Sequence, residues 1–236
     1  MKSIYVKRYA VVHVYGRSNA EYIATLGFPE HRIVTTRAVL DVTHFRLPNS
    51  LLKKEGPLRL LYVGRFSPEK NLARLIEAMS TDGAEEILLD LVGYGSLEGD
   101  LRQLVKRSGV ERRVAFRGKV DQERLPEEYW KADVFVLPSL TEPWGLVANE
   151  AMCCGLPVAL SSRCGCAEDL VTPETGWKFD PLDKDQMAEV MRAIAGTERS
   201  RLAEMGRQAR KIAEAYSPEN CARIVVKSLA DLPGES

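Results

Sequence analysis

The stretch Ala132-Asp133-Val134-Phe135-Val136-Leu137-Pro138-Ser139-Leu140-Thr141-Glu142-Pro143-Trp144-Gly145-Leu146-Val147-Ala148-Asn149-Glu150-Ala151-Met152 decides the fold. Residues 132–137 are apolar almost without a break, the pattern of a parallel strand buried on both faces. Over residues 146–154 the spacing predicts a helix, stopped by Gly155 and Pro157. The turn between them holds a carboxylate, Glu142, and a small residue, Gly145. Open α/β sheets bind ligands at such places, where a strand ends and the next helix presents its first amides. Glu150 follows Glu142 by eight positions, inside the helix, so two carboxylates are expected at two depths of one cleft.

On either side of this stretch, strand and helix patterns alternate. Residues 58–63, 86–92, 114–117 and 157–160 read as strands, and 177–179 as an edge strand. Helical patterns cover 71–79, 97–108, 124–131, 183–195, 200–216 and, from a Ser217-Pro218 start, 218–232. This alternation predicts an α/β protein with a Rossmann-like doubly wound parallel sheet and helices on both faces. Ahead of it, residues 9–15, 19–26 and 32–36 form a single βαβ piece, and 41–49 is irregular. One such unit cannot bury both faces of its sheet. Residues 1–50 are therefore expected to be the end of a partial N-terminal domain, and 51–57 a linker bracketed by Pro48-Asn49-Ser50 and Gly56-Pro57. Residues 58–216 would be the main domain and 217–236 a terminal helix.

Composition narrows the function classes. With 45% hydrophobic and 28% charged residues the chain is an ordinary globular protein. Its 33 basic and 33 acidic residues cancel, which argues against a general affinity for nucleic acid or anionic lipid. No run reaches the roughly 18–20 apolar residues of a membrane span, and Met1-Lys2-Ser3-Ile4-Tyr5-Val6-Lys7-Arg8 lacks a signal-peptide pattern. Five cysteines, two adjacent and two separated by one residue, lack the spacing of a secreted disulfide framework. A reduced cytoplasmic protein is expected, with peripheral attachment at the inner membrane face as the alternative placement.

Three turns at strand ends carry suitable chemistry. In Val63-Gly64-Arg65-Phe66-Ser67-Pro68-Glu69-Lys70-Asn71 a glycine allows close backbone approach, and Arg65 and Lys70 bracket a helix start. A guanidinium fork, an ammonium and helix amides suit a diphosphate, although two cations alone are more commonly solvated surface charges. Val92-Gly93-Tyr94-Gly95-Ser96 is glycine-rich before a helix, a weak signal by itself because it lacks the rest of a dinucleotide fingerprint. The third is the Glu142 turn.

Together these residues resemble the retaining glycosyltransferases of the GT-B fold, in the large family called group one. The matching motifs run in order: Gly-Arg-Phe-Ser-Pro-Glu-Lys-Asn at 64–71, Val-Gly-Tyr-Gly at 92–95, Phe-Arg-Gly-Lys-Val at 116–120 and Ala-Asp-Val-Phe-Val-Leu-Pro-Ser at 132–139. The Glu142–Glu150 pair, Gly-Leu-Pro-Val at 155–158 and Cys-Gly-Cys-Ala-Glu-Asp-Leu-Val at 164–171 complete them. The resemblance implies that residues 58–216 bind a UDP- or GDP-linked sugar and that a hexose is transferred with retention. It further implies that neither a cofactor nor a metal is used. By that resemblance Arg65 and Lys70 hold the diphosphate and stabilise the leaving-group charge. Gly64, Gly93 and the backbone amides of Gly145, Leu146 and Val147 line the donor. Glu150 accepts from the ribose hydroxyls, Glu142 lies near the sugar, and Arg117, Gly118, Lys119 and Val120 lie where the family holds the nucleobase edge. By the same resemblance the acceptor domain is expected to lie largely outside this chain. The resemblance therefore implies a donor half that needs another chain to supply that domain, the alternative being a non-catalytic nucleotide-sugar-binding subunit.

Other readings of the same residues carry less. A glycosidase acid and nucleophile would leave the cations without a task, and an epimerase would need catalytic acids from two domains. Helix-start acids favoured by the dipole would account for Glu142 better than for Glu150. Cys153 and Cys154 diverge by about 100° on a helix, unsuited to one zinc ion, and read as small core residues. Cys164-Gly165-Cys166 reads as a tight loop lining the sugar pocket, where relatives more often carry Gly-Gly, which leaves the hexose open. His13, His31 and His44 have no matched partners in sequence, and Trp144 is expected to pack, with a stacking contact as the second option.

Overall fold

Six parallel strands in the order β5-β4-β3-β6-β7-β8 form the principal sheet. The computed structural model describes residues 10–46 and 56–230. The expectations for residues 1–9, for Pro48-Asn49-Ser50 and most of the linker, and for the end of the last helix lie outside the described residues. The strands are β3 (Arg59–Val63), β4 (Leu88–Val92), β5 (Val114–Gly118), β6 (Val134–Leu137), β7 (Val158–Ser161) and β8 (Gly176–Phe179). Every residue of β6 and β7 is buried, as the apolar run of β6 and that of β7 up to Ser161 require. Each fully buried Val, Leu or Phe contributes about 1.5–3 kcal/mol of transfer free energy.

The crossovers are α2 (Leu72–Met79), α3 (Glu98–Arg107), α4 (Leu125–Lys131), α5 (Leu146–Cys153) and α6 (Ala167–Leu170), followed by α7 (Lys184–Ala195) and α8 (Arg199–Ala213). α2 buries Leu72, Leu75, Ile76 and Met79, the one-face spacing of an amphipathic helix. The Asp183 side chain accepts from the Asp185 and Gln186 amides and so starts α7, a cap worth about 1 kcal/mol. α6 was not expected as a helix; at four residues it is too short to show helical periodicity. The helix expected over 200–216 ends at Ala213 and tightens into a 3₁₀ turn over Glu214–Tyr216.

A smaller βαβ unit precedes this sheet. It comprises β1 (Val12–Tyr15), α1 (Gly16–Thr25) and β2 (Ile33–Thr36), with β1 and β2 parallel. α9 (Pro218–Ala230) packs on β2, and its Ser228 hydroxyl lies 3.2 Å from Nε2 of His13 in the neighbouring β1. Tyr15, Tyr22, Val226 and Leu229 are exposed on this unit and on α9. Among the described residues no helix is long and apolar enough to cross a membrane.

The strand order locates the site. From β3 the chain proceeds outward through β4 to β5, then returns to β6 beside β3 and proceeds the other way. The carboxyl ends of β3 and β6 therefore flank the point where the winding reverses, the usual crevice for ligands in such sheets.

Candidate functional site

The turn after β3 and the turn after β6 meet at that crevice. Pro68–Lys70 forms one 3₁₀ turn, and Asn71 follows in the left-handed region with φ of 56°. The Asn71 side-chain amide donates to the carbonyls of Pro138 at 3.2 Å and Pro181 at 3.1 Å. The Leu140 amide donates to the Glu69 carbonyl at 2.8 Å. These bonds fasten the two turns side by side. Across them Lys70 Nζ pairs with Glu142 Oε2, each side chain 13% exposed.

The turn after β4 completes the wall. A Cβ at Gly93 would lie 1.9 Å from the Gly64 carbonyl oxygen, so these two turns touch backbone to backbone and only glycine fits. The Phe66 amide donates to the Tyr94 carbonyl at 2.9 Å. Arg65 stands at the rim with its side chain 76% exposed, 3.6 Å from Glu69, while its carbonyl accepts from the Tyr62 hydroxyl at 2.8 Å. Burial first, then the Glu142 and Glu69 charges, push the Tyr62 phenol well above its ordinary range.

Gly145 takes φ of 98° immediately before α5. Helix geometry leaves the first amides, those of Leu146 and Val147, outside the intrahelical ladder and directed out of its N-terminus. Leu146 is itself exposed. The Glu142 turn is held from behind by an isolated parallel bridge to Cys164, with the Gly165 amide donating to the Glu142 carbonyl at 2.9 Å. All five cysteines are buried, and burial pushes the Cys153 and Cys164 thiols up to about 12. Cys153 and Cys154 accordingly serve as core residues.

Glu150 lies deeper. It is 9% exposed and accepts from the Tyr129 hydroxyl at 2.7 Å. Burial raises its carboxyl above the usual range, opposed by the Tyr129 hydrogen bond and the nearby His44. His44 Nε2 lies 2.9 Å from the Gln122 carbonyl, which ties the 41–46 segment to the loop after β5.

Of the residues singled out in the sequence, Lys70, Glu142 and Gly145 come together, Gly64 and Gly93 meet each other backbone to backbone, and Arg65 stands exposed. Arg117 is turned elsewhere. Its guanidinium holds Asp90 at 2.7 Å, and Arg59 holds the other oxygen of that carboxylate at 2.9 Å. Gly118 follows with φ of 72°, Lys119 is exposed, and Val120 packs partly against the core. Sequence reasoning missed Asn71, which fastens the turns, and Tyr129, which partners Glu150. Tyr129 stands in an amphipathic helix with no local sign of its partner; Asn after Lys70 at a helix start was a legible cue for a special backbone conformation.

Residues 44–212 match the family described as Glycosyl transferases group 1. Among curated relatives, the O-antigen chain mannosyltransferase B of Escherichia coli is 34% identical over 218 residues, covering 86% of this chain and 56% of the relative. The D-inositol 3-phosphate glycosyltransferase 2 of Catenulispora acidiphila is 29% identical over 207 residues, covering 80% of this chain and 48% of the relative. The chain thus spans about half the length of these curated relatives. Among solved structures, sucrose-phosphate synthase from Thermosynechococcus elongatus superposes with a TM-score of 0.83 at 26% identity, covering 98% of this chain and 60% of that one. Anabaena Alr3699/HepE in complex with UDP and glucose superposes at 0.79 and 21% identity, covering 96% of this chain and 65% of that one, a likeness of fold.

Proposed function

This chain belongs to the group 1 glycosyl transferases, and from that membership we propose that it binds a nucleotide-diphosphate sugar at the β3–β6 crevice and supplies the donor half of a retaining hexosyl transfer. The observation that carries this reading is the Lys70–Glu142 pair at the point where the strand order reverses. Lys70 and the exposed guanidinium of Arg65 would provide positive charge for a diphosphate leaving group, supported by the first amides of α5 at the end of the Glu142 turn. Preorganised charge there stabilises the transition state more than the ground state, because negative charge grows on the diphosphate as the glycosidic bond breaks.

In this reading the ion pair is the resting arrangement. Lys70 neutralises Glu142 until a diphosphate takes over the ammonium, and Glu142 is then free to orient sugar hydroxyls or offset positive charge at the anomeric carbon. Glu150, with one oxygen held by Tyr129, accepts from the ribose with the other. Retention, independence from metal and a UDP or GDP donor belong to the same proposal. The acceptor side is supplied by polypeptide beyond the described residues or by a partner chain. Calorimetric titration with UDP, GDP and the corresponding nucleosides tests the reading: Lys70→Ala should weaken diphosphate binding far more than nucleoside binding, and equal losses would remove Lys70 from the phosphate site.

A further inference from the structure

Trp144 sits in the glutamate turn, yet its ring bears on the N-terminal βαβ unit. A Cβ at Gly16 would lie 2.3 Å from Trp144 Cζ3 and 3.0 Å from Cη2. Gly16 has φ of 72°, so the start of α1 meets the edge of the indole with bare backbone. The other contacts of Trp144 fix it on all sides. Its indole N–H donates to Asn149 Oδ1 at 2.9 Å, and its carbonyl accepts from the Cys166 amide at 3.2 Å. Its ring centroid lies 6.0 Å from that of Tyr216, over which the Arg37 guanidinium sits at 5.4 Å.

Asp169 strengthens the same joint. Its Oδ2 accepts from the Arg17 amide at 3.0 Å and would be 2.6 Å from a Gly16 Cβ. A carboxylate from the main domain therefore stands at the N-terminus of α1, where the helix dipole favours negative charge. Asn149 is fully buried in α5, and its amide nitrogen has no hydrogen-bond partner among the described residues. A buried amide left half satisfied is costly, and the bond it does make is to Trp144. Trp144 is thus tied to the helix on whose N-terminus the donor would rest, two residues after Glu142 and one before Gly145.

We propose that Trp144 is a positioning residue, its ring set by Asn149, that couples the placement of the N-terminal unit to the geometry of the Glu142–Gly145 turn. The joint stands on its own contacts; its effect on donor binding rests on the function proposed above. If the turn has its binding geometry only while Gly16 abuts Trp144, nucleotide binding and the seating of the N-terminal unit are linked reciprocally.

The test uses Gly16→Ala, a change on the N-terminal unit, with hydrogen exchange and nucleotide titration on the whole chain. Forcing a methyl against the ring should speed exchange of the 144–149 amides by about tenfold while the β4 amides keep their protection. Unchanged exchange in the turn would overturn the joint. Should Gly16→Ala not fold, Trp144→Phe, which removes the Asn149 bond and the outer ring edge, tests the joint from the other side: the amides at the start of α1 should exchange faster, and unchanged exchange there would overturn it. In titration, UDP or GDP should bind Gly16→Ala several-fold more weakly than wild type. Binding by wild type with an unchanged Kd in Gly16→Ala would overturn the coupling to the donor site. No binding by wild type would instead defeat the donor reading, and the exchange result would still decide the joint.

Discussion

Lys70 and Glu142, 72 residues apart in sequence, form an ion pair across the turns that follow β3 and β6. Each side chain is mostly shielded from water, so neither charge is well solvated without the other. Removing one partner should leave an uncompensated charge and cost roughly 2–4 kcal/mol, whereas removing both should cost less. Chemical denaturation of Lys70→Met, Glu142→Leu and the double variant reads the difference. A double variant less stable than either single would show that the pair itself is not the source of the loss.

Glu150 gives a pH dependence of known sign. Its carboxyl is raised from 4.5 by burial, so between its unfolded and folded values the native state binds more protons than the unfolded state. Stability contributed by the protonated form is present below about pH 4.5 and falls as pH rises through the elevated folded value. Glu150→Gln, which still accepts from Tyr129, should therefore gain on wild type as pH is raised from 4.5 towards neutrality. A stability difference that stays constant over that range would contradict this.

Tyr129→Phe removes the hydroxyl that donates to Glu150 and leaves a buried carboxylate short of a partner. The expected loss is about 1–3 kcal/mol in unfolding free energy. Because the hydroxyl also orients the carboxylate, UDP or GDP and the free nucleoside should lose affinity by the same factor. A selective loss for the diphosphate would move Glu150 away from the ribose.

Two glycines to alanine separate backbone contact from backbone freedom. At Gly93 a Cβ meets the Gly64 carbonyl at 1.9 Å, so Gly93→Ala should cost roughly 3 kcal/mol or prevent folding. At Gly99, in α3, a Cβ would meet nothing within 4 Å among the described residues, and alanine should stabilise the helix by about 0.5–1 kcal/mol. In thermal melts, a Gly93→Ala variant as stable as wild type would refute the close approach of the β3 and β4 turns, and a Gly99→Ala variant melting below wild type would refute the helix gain.

The parallel sheet was legible because its central strands are buried on both faces and so read as nearly unbroken apolar runs, as in 132–137. Turn motifs after those runs placed Lys70 and Glu142 on neighbouring strand ends, and the structure brings them into contact. Contacts between elements were not legible. Nothing local marks Asp90 as the anchor of Arg59 and Arg117, since a lone aspartate inside an apolar strand carries no record of its partners. The same holds for Trp144 against Gly16: each has a plausible local role, and only the tertiary approach of two units joins them. α6 escaped notice because one helical turn has no period to detect.

The central claim, that the β3–β6 crevice takes a nucleoside diphosphate through Lys70, is tested most directly by isothermal titration of the purified protein with UDP and GDP. One of them should bind, and Lys70→Ala should weaken that binding at least about tenfold, or 1.4 kcal/mol. Failure of both nucleotides to bind the folded wild-type chain, or equal binding by Lys70→Ala, would contradict it.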